Sequence, residues 1–342
     1  MKQIVATAPK VLTTNEVPVP QVQAGEALVQ TLVSGVCGSD LHAVQGLHPF
    51  VPIPYKPGHE VVGVIRELAP DVKGLSIGDR VTVEPDLPCW NCKNCKNGNE
   101  NLCENLQFFG CGYSQGGMCE FWTLPAGRLH VIPASFSDEK AALIEPLSTP
   151  VHATKLAFVG HKDLSGKSVV ILGCGTIGLL TLFAAKHFNA KKIIMTDLVQ
   201  EKRDRAVRLG ADSAFDAGSP TVVDDVRKEL GESADVVFDC VAFQPTVLQA
   251  IRMADKGGTV VIVGVPENDV TVPLPIIQDH QIRIQGAATY LPSDYKDSIA
   301  ILSAENFPFS EFVTSVFPVE EAQKAFESAL SGDQIKVLIR FS

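Results

Sequence analysis

The run Gly173-Cys174-Gly175-Thr176-Ile177-Gly178 restricts the fold of this chain more than any other stretch. It follows a short apolar strand at 168–172 and opens a helical pattern that reaches His187. In that context the first glycine makes the turn, the second lets a pyrophosphate approach, and the third packs helix on strand. The helix start faces the phosphates with unpaired N–H groups. A second apolar strand, 192–196, ends at Asp197, nineteen residues beyond Gly178. A carboxylate there accepts ribose hydroxyls and repels a 2′-phosphate, so NAD is expected over NADP. Lys202 and Arg203 follow within reach of the adenine edge or, less favourably, of a phosphate. A charged helix at 201–209 and strands at 234–241, 259–264 and 281–286 continue the alternation. Strands alternating with helices give a doubly wound parallel sheet.

The first 150 residues follow another rule. Stretches 26–36, 59–68 and 80–84 are rich in β-branched residues, with Pro52, Pro54, Pro57, Gly74 and Gly78 between them. They predict a mostly antiparallel β domain with long loops. The tail, 292–342, shows two helical segments and a last strand at 334–341. The fold class expected is α/β, with a mostly-β domain beside the parallel-sheet domain.

Two ligand sets stand in the β-rich part. Cys37 lies in Gly35-Val36-Cys37-Gly38-Ser39-Asp40-Leu41-His42, and Gly58-His59-Glu60 follows. A thiolate, an imidazole and a carboxylate suit a catalytic zinc, which takes three protein ligands and keeps an open position. Neighbours in a regular strand point to opposite faces, so His59 and Glu60 both reach one ion only if the backbone bends; otherwise Glu60 stands behind the ligands. Glu145 is a fourth candidate, read as the end of a short helical run that Pro146 stops. Cys89, Cys92, Cys95 and Cys103 form C-x2-C-x2-C-x7-C, a set that closes a tetrahedral structural zinc site. Cys111, Cys119, Cys174 and Cys240 read as packing residues, with a ligand swap by Cys111 or Cys119 left open.

Bulk properties narrow the function. A formal net charge of -10 disfavours partners held by phosphate contacts, so no nucleic-acid partner is expected. No apolar run approaches the roughly 20 residues that span a bilayer, and the start lacks a secretory apolar core. A cytoplasmic location without membrane attachment is the expectation, and clustered cysteines there point to metal. A zinc-ribbon-like interaction protein is the rival class.

Taken in order, these motifs, with Gly78-Asp79-Arg80-Val81 and Glu145-Pro146-Leu147, resemble the zinc-containing medium-chain dehydrogenases, in particular the sorbitol (polyol) dehydrogenase branch. The resemblance covers nearly the whole chain. It implies a discontinuous GroES-like catalytic domain (1–152 and 288–342) around a Rossmann domain (153–287). It implies a catalytic zinc on Cys37, His59 and Glu60, with Glu145 touching the zinc or its water, and a relay in which Ser39 takes the alcohol proton and His42 passes it outward. Serine both accepts and donates, as such a relay needs. Gly173, Gly175, Ile177, Gly178, Asp197, Lys202, Val263, Gly264, Val265 and Thr289 are expected against NAD. The implied reaction is reversible oxidation of a secondary alcohol, polyol or sugar-derived, to a ketone, in a homodimer or homotetramer. Threonine and butanediol dehydrogenases share the Glu145-type site and are the runners-up. Thr289 stands where sorbitol dehydrogenases carry an arginine, and Ala43 follows His42 where a tyrosine is common; an arginine fork and a threonine hydroxyl hold a polyol differently.

Cys37→Ala is expected to abolish turnover while calorimetric NAD binding stays largely intact. Unchanged turnover would contradict the ligand assignment.

Overall fold

The computed structural model describes residues 1–48, 51–305 and 307–341. The chain forms two compact units, Met1–Pro146 with Leu291–Ser342, and Leu147–Tyr290. Each boundary lies a few residues from the one expected: the first falls inside the helix Ile144–Leu156 rather than after residue 152.

The first unit is built on a seven-stranded sheet. Its spatial order is Val313–Pro318, Lys336–Arg340, Glu26–Val36, Glu60–Leu68, Arg80–Val83, Leu129–Val131, with Phe121–Pro125 also on Glu26–Val36. All pairings are antiparallel except that of the two tail strands. The long strand Glu26–Val36 is central, and its apolar residues Ala27, Val29 and Val33 are fully buried. Its register sets Gly35 opposite Glu60 and Val36 opposite Val337. The tail thereby reaches the place where Cys37 leaves the sheet. The strand Val313–Pro318 escaped the sequence reading: it is short, half-exposed and bounded by Pro318.

The four-cysteine lobe is a loop carrying the short helix Lys93–Lys96 and a 3-10 turn, Glu100–Leu102. Buried Arg128 ties it to the sheet. Its guanidinium donates to Glu84 from the domain body and to Glu100 of the lobe at 2.5 Å, and lies 5.2 Å from the Trp90 ring. Charge-assisted bonds of this kind are roughly twice as strong as neutral ones.

The second unit is a six-stranded parallel sheet in the order Ser213–Asp216, Lys192–Asp197, Ser168–Leu172, Ala234–Asp239, Ala254–Ile262, Arg283–Gly286. The central strand, Ser168–Leu172, is buried at every residue, as strands covered on both faces must be. It runs through Gly173, at φ +97°, into the helix Thr176–His187. A Cβ on Gly178 would stand 1.9 Å from the Gly173 carbonyl oxygen, so only glycine lets this helix approach the strand. Gly175 differs: a Cβ there would meet nothing within 4 Å.

That contrast separates fold from binding. Gly178→Ala is expected to cost about 1–3 kcal/mol of stability, the usual cost of overpacking, and to lower the melting temperature accordingly. Gly175→Ala should shift the melting temperature far less, yet weaken NAD binding by roughly tenfold, about 1.4 kcal/mol, since the added methyl faces only an incoming ligand. Thermal melts and calorimetry distinguish the two; equal melting shifts would contradict the assignment.

Candidate metal centre and dinucleotide site

Cys37 ends the excursion from Glu26–Val36 and caps the helix Gly38–Val44. Its N–H donates to Asp40 Oδ2 at 3.0 Å. Asp40 is fully buried, and its other oxygen lies 3.9 Å from His59 Nδ1. Neither of those two atoms has a hydrogen-bond partner. A carboxylate facing the far nitrogen of a ligand histidine fixes its ring and tautomer, a recurring support in metal sites. Burial pushes Asp40 up, against the pull of His59 and the Cys37 N–H.

His59 stands just ahead of the strand Glu60–Leu68, after Gly58 at φ +104°. This left-handed turn removes the alternation that would send His59 and Glu60 to opposite faces. A Cβ on Gly58 would lie 2.4 Å from the Met118 nitrogen, so the turn admits glycine alone. The ligand atoms of Cys37, His59 and Glu60 lie within 4.8 Å of one another. Zinc–ligand bonds are about 2.0–2.3 Å, so a small contraction encloses one ion.

Glu60 is completely buried, and both its oxygens accept from Lys336 Nζ, at 2.5 and 2.7 Å. Lys336 also donates to the Val36 carbonyl at 3.3 Å. Burial alone would pull this lysine down, but Glu60, with Cys37 and Glu145 beyond, holds its pKa above the ordinary value. The carboxylate lies over Gly35, where a Cβ would come 2.0 Å from Glu60 Oε2. Lys336 and Asp40, which face Glu60 and His59, are absent from the sequence reading of the site. Asp40 was inside the quoted motif, and Lys336 is a single charge in the apolar run Ile-Lys-Val-Leu-Ile; either could have been flagged.

The pocket is built for a cation. Burial lowers the His59 pKa, yet Asp40, Cys37 and, at longer range, Glu145 outweigh it and raise the group well above ordinary histidine. Anions that draw a proton to His59 favour a divalent metal in the same place. Among the described residues the cluster comprises Cys37, His59 and Glu60. Glu145 is outside it, buried, and within electrostatic range of His59 and Lys336. It occupies the first turn of Ile144–Leu156, not the end of a helical run. Pro146 follows it in that first turn, where a missing N–H breaks no helical bond. Ser39 and His42 are half-buried on Gly38–Val44, while Asp40, Ala43 and Val44 turn inward.

The other four thiols also converge. Cys89, Cys92, Cys95 and Cys103 place their sulfurs within 4.8 Å of one another, with Cys92 Sγ 3.4 Å from Cys95 Sγ. Backbone N–H groups of Asn91 and Cys92 lower Cys89 to about 6, favouring the thiolate that zinc takes. Cys111 and Cys119 do not join them. Cys119 is buried with its sulfur 3.1 Å from the Gly116 carbonyl. Burial pushes Cys111 up to about 11, and its charged neighbours are His59, Asp40 and Cys37 rather than the lobe.

In the parallel-sheet unit the expected cofactor residues collect beyond the carboxyl ends of strands, where ligands of such sheets bind. Gly173, Gly175, Ile177 and Gly178 follow Ser168–Leu172, Asp197 ends Lys192–Asp197, Val263, Gly264 and Val265 follow Ala254–Ile262, and Thr289 follows Arg283–Gly286. Asp197 accepts from the Cys174 N–H at 2.8 Å and the Val199 N–H at 2.9 Å. Lys202 is half-buried on the next helix. Arg203 turns inward, donating to the Asp197 and Leu198 carbonyls at 2.8 and 2.9 Å, so it braces the loop instead of facing a phosphate. Thr289 holds a φ of +44°, rare for a β-branched residue, and its buried Oγ1 has no partner.

Comparison with known proteins agrees. The alcohol dehydrogenase GroES-like domain family matches residues 23–134, and the zinc-binding dehydrogenase family matches residues 176–304. D-xylulose reductase A of Aspergillus oryzae is 32% identical over 331 residues, covering 94% of this chain and 91% of that protein. The chain belongs to the zinc-containing medium-chain dehydrogenase family. Among solved members, a Sinorhizobium meliloti zinc-binding dehydrogenase bound to NADP is 28% identical, with a TM-score of 0.91 and 99% of each chain covered. The 2R,3R-butanediol dehydrogenase of Bacillus subtilis is 27% identical, with a TM-score of 0.90, covering 100% of this chain and 99% of that one. A small-molecule substrate follows for this dehydrogenase. No helix among the described residues is long and apolar enough to cross a membrane.

Lys336→Met leaves Glu60 buried and uncompensated, which typically costs about 3–5 kcal/mol. In the metal-free dehydrogenase this variant is expected to melt at lower temperature than wild type, and zinc should raise its melting point by more. Equal responses to zinc would contradict the pairing of Lys336 and Glu60 across the metal pocket.

Proposed function

We propose that the enzyme reversibly oxidises a secondary alcohol of a polyol or sugar-derived substrate to a ketone, transferring hydride to NAD. The observation that carries this reading is the convergence of Cys37, His59 and Glu60 in a buried, anion-rich pocket of a dehydrogenase. Similarity to D-xylulose reductase A supports the polyol class. When bound, zinc supplies a Lewis acid that makes an alcohol hydroxyl more acidic, and NAD supplies the hydride acceptor.

The chain's own residues do the rest. Asp40 holds the His59 ring, and Lys336 holds Glu60 at the floor of the site. Ser39 takes the hydroxyl proton and His42 carries it outward; their i, i+3 spacing on Gly38–Val44 sets them on neighbouring positions of one helix side. Glu145 adds negative charge from beside the cluster and stays available to the metal or its water. In the second unit Gly175 leaves room for the pyrophosphate, and the turn at Cys174 is braced by its backbone N–H donating to Asp197. Asp197 favours an unphosphorylated ribose, and Arg203 is engaged with backbone carbonyls, so NAD is preferred over NADP. Ile177, Lys202, Val263, Gly264, Val265 and Thr289 complete the cofactor contacts. A cytoplasmic location and a homodimeric or homotetrameric enzyme belong to the same reading. The resemblance to butanediol dehydrogenase keeps vicinal diols as the second substrate class.

A screen of NAD reduction over polyols, vicinal diols, sugar acids and 3-hydroxy amino acids tests the substrate class. Polyols are expected to give the highest kcat/KM, with NAD ahead of NADP, and Asp197→Ala should narrow that gap by about tenfold, or roughly 1.4 kcal/mol. A wild-type preference for NADP would overturn the cofactor assignment.

A further inference from the structure

The parallel-sheet unit holds a buried carboxylate outside the expected cofactor residues. Asp239 ends the strand Ala234–Asp239 and is completely buried. Its register partners are Leu172 on one side and Ile262 on the other, the last residues before the turns at Gly173 and Val263. Its Oδ1 accepts from the Val241 and Ala242 N–H groups at 3.0 and 2.8 Å, and its Oδ2 from the Thr246 hydroxyl at 2.9 Å. Its carbonyl accepts from the Val263 and Gly264 N–H groups at 2.9 and 3.0 Å. Each of these partners donates, which suits an ionised carboxylate, although burial pushes its pKa up.

Ala242 sits inside this set of bonds at φ +61°, a left-handed backbone that glycine adopts freely and alanine does not. Such an outlier persists only where its surroundings over-determine it, and it marks a place worth testing for function. The turn it makes, 240–243, is wedged between two others. A Cβ on Gly173 would stand 2.8 Å from Val241 Cγ2, and one on Gly264 would stand 2.9 Å from the Val241 carbonyl carbon. The strand order reverses between Ser168–Leu172 and Ala234–Asp239, and a dinucleotide crosses such a sheet at that crevice. Asp197 lies on the adenosine side of the reversal. The turns at 240–243 and 263–265 lie on the other, nicotinamide side.

We propose that Asp239 is a positioning residue for the nicotinamide half of the dinucleotide. Its carboxylate holds Ala242 left-handed and so sets the 240–243 turn as a wall of the crevice. The proposal rests on the dinucleotide reading of this sheet and is independent of the alcohol substrate. Without the carboxylate two backbone N–H groups lose their acceptor, and alanine at 242 relaxes toward an ordinary conformation. The wall then moves, while the Gly173–Gly178 turn and Asp197 keep their own bonds.

The test is calorimetric binding of NAD and of AMP, which fills only the adenosine half, to the zinc-loaded enzyme. Asp239→Ala is expected to raise the Kd for NAD roughly tenfold and to leave that for AMP within about twofold. Asp239→Asn keeps an acceptor oxygen and should stay near wild type. Asp239→Ala with Ala242→Gly should recover part of the NAD affinity, because glycine holds φ +61° without a brace. Should Asp239→Ala not fold, Thr246→Val removes only the Oδ2 donor and carries the same NAD-against-AMP comparison. Unchanged NAD affinity, equal losses for NAD and AMP, or no recovery with Ala242→Gly overturns the role of Asp239 and leaves the dinucleotide site standing. A wild-type enzyme that binds neither ligand removes the dinucleotide reading itself, and this proposal with it.

Discussion

The Glu60–Lys336 pair is the interaction around which the catalytic unit is arranged. Both groups are almost completely shielded from water. Removing two charges from solvent costs several kcal/mol each, so such a pair persists only with close geometry and further hydrogen bonds. Here Lys336 meets both oxygens of Glu60 and also donates to the Val36 carbonyl. The consequences run outward. Gly35 must be glycine because the Glu60 carboxylate lies where its Cβ would be. The last strand must lie beside Glu26–Val36, since it alone carries Lys336 to this depth. A discontinuous domain, with its C-terminal strand inserted into the N-terminal sheet, is the topological form of that requirement.

Around the pair, negative groups outnumber positive ones. Cys37, Asp40 and Glu60 crowd one imidazole and one ammonium, and Glu145 stands close by. A buried pocket with that balance is stable only with a cation in it, a proton on His59 or a metal ion. The lobe shows the same logic in softer form: four sulfurs and no carboxylate, held to the domain by Arg128 between Glu84 and Glu100. One site is closed by its four ligands and the other is left with room for chemistry, the division expected between structural and catalytic zinc.

Much of this was legible in the sequence. The strand at 26–36 and the strand at 168–172 appear with the bounds that β-branching and glycine punctuation predicted. The three-residue ligand set and the four-cysteine set converge as read. The failures have physical causes. Pro146 looked like a helix stop, but a proline in a first turn starts helices as readily as it ends them. The edge strand Ser213–Asp216 is four residues long and none of them is fully buried, so it carries no period-two signal. Cys111 is close in sequence to the lobe yet lies by the other site, because the loop after Phe108 folds back against Gly58, with a Gly110 Cβ needing the space of the Gly58 carbonyl oxygen. Lys336 was invisible as a partner because its mate is hundreds of residues away, and only the sheet register joins them.

Zinc K-edge X-ray absorption on the purified enzyme tests the central claim most directly, together with metal content. Two chemically different sites predict about two zinc ions per chain and an averaged first shell that mixes sulfur with nitrogen and oxygen. A single zinc per chain with an all-sulfur shell would show that only the lobe binds metal, and would contradict the account of Cys37, His59 and Glu60.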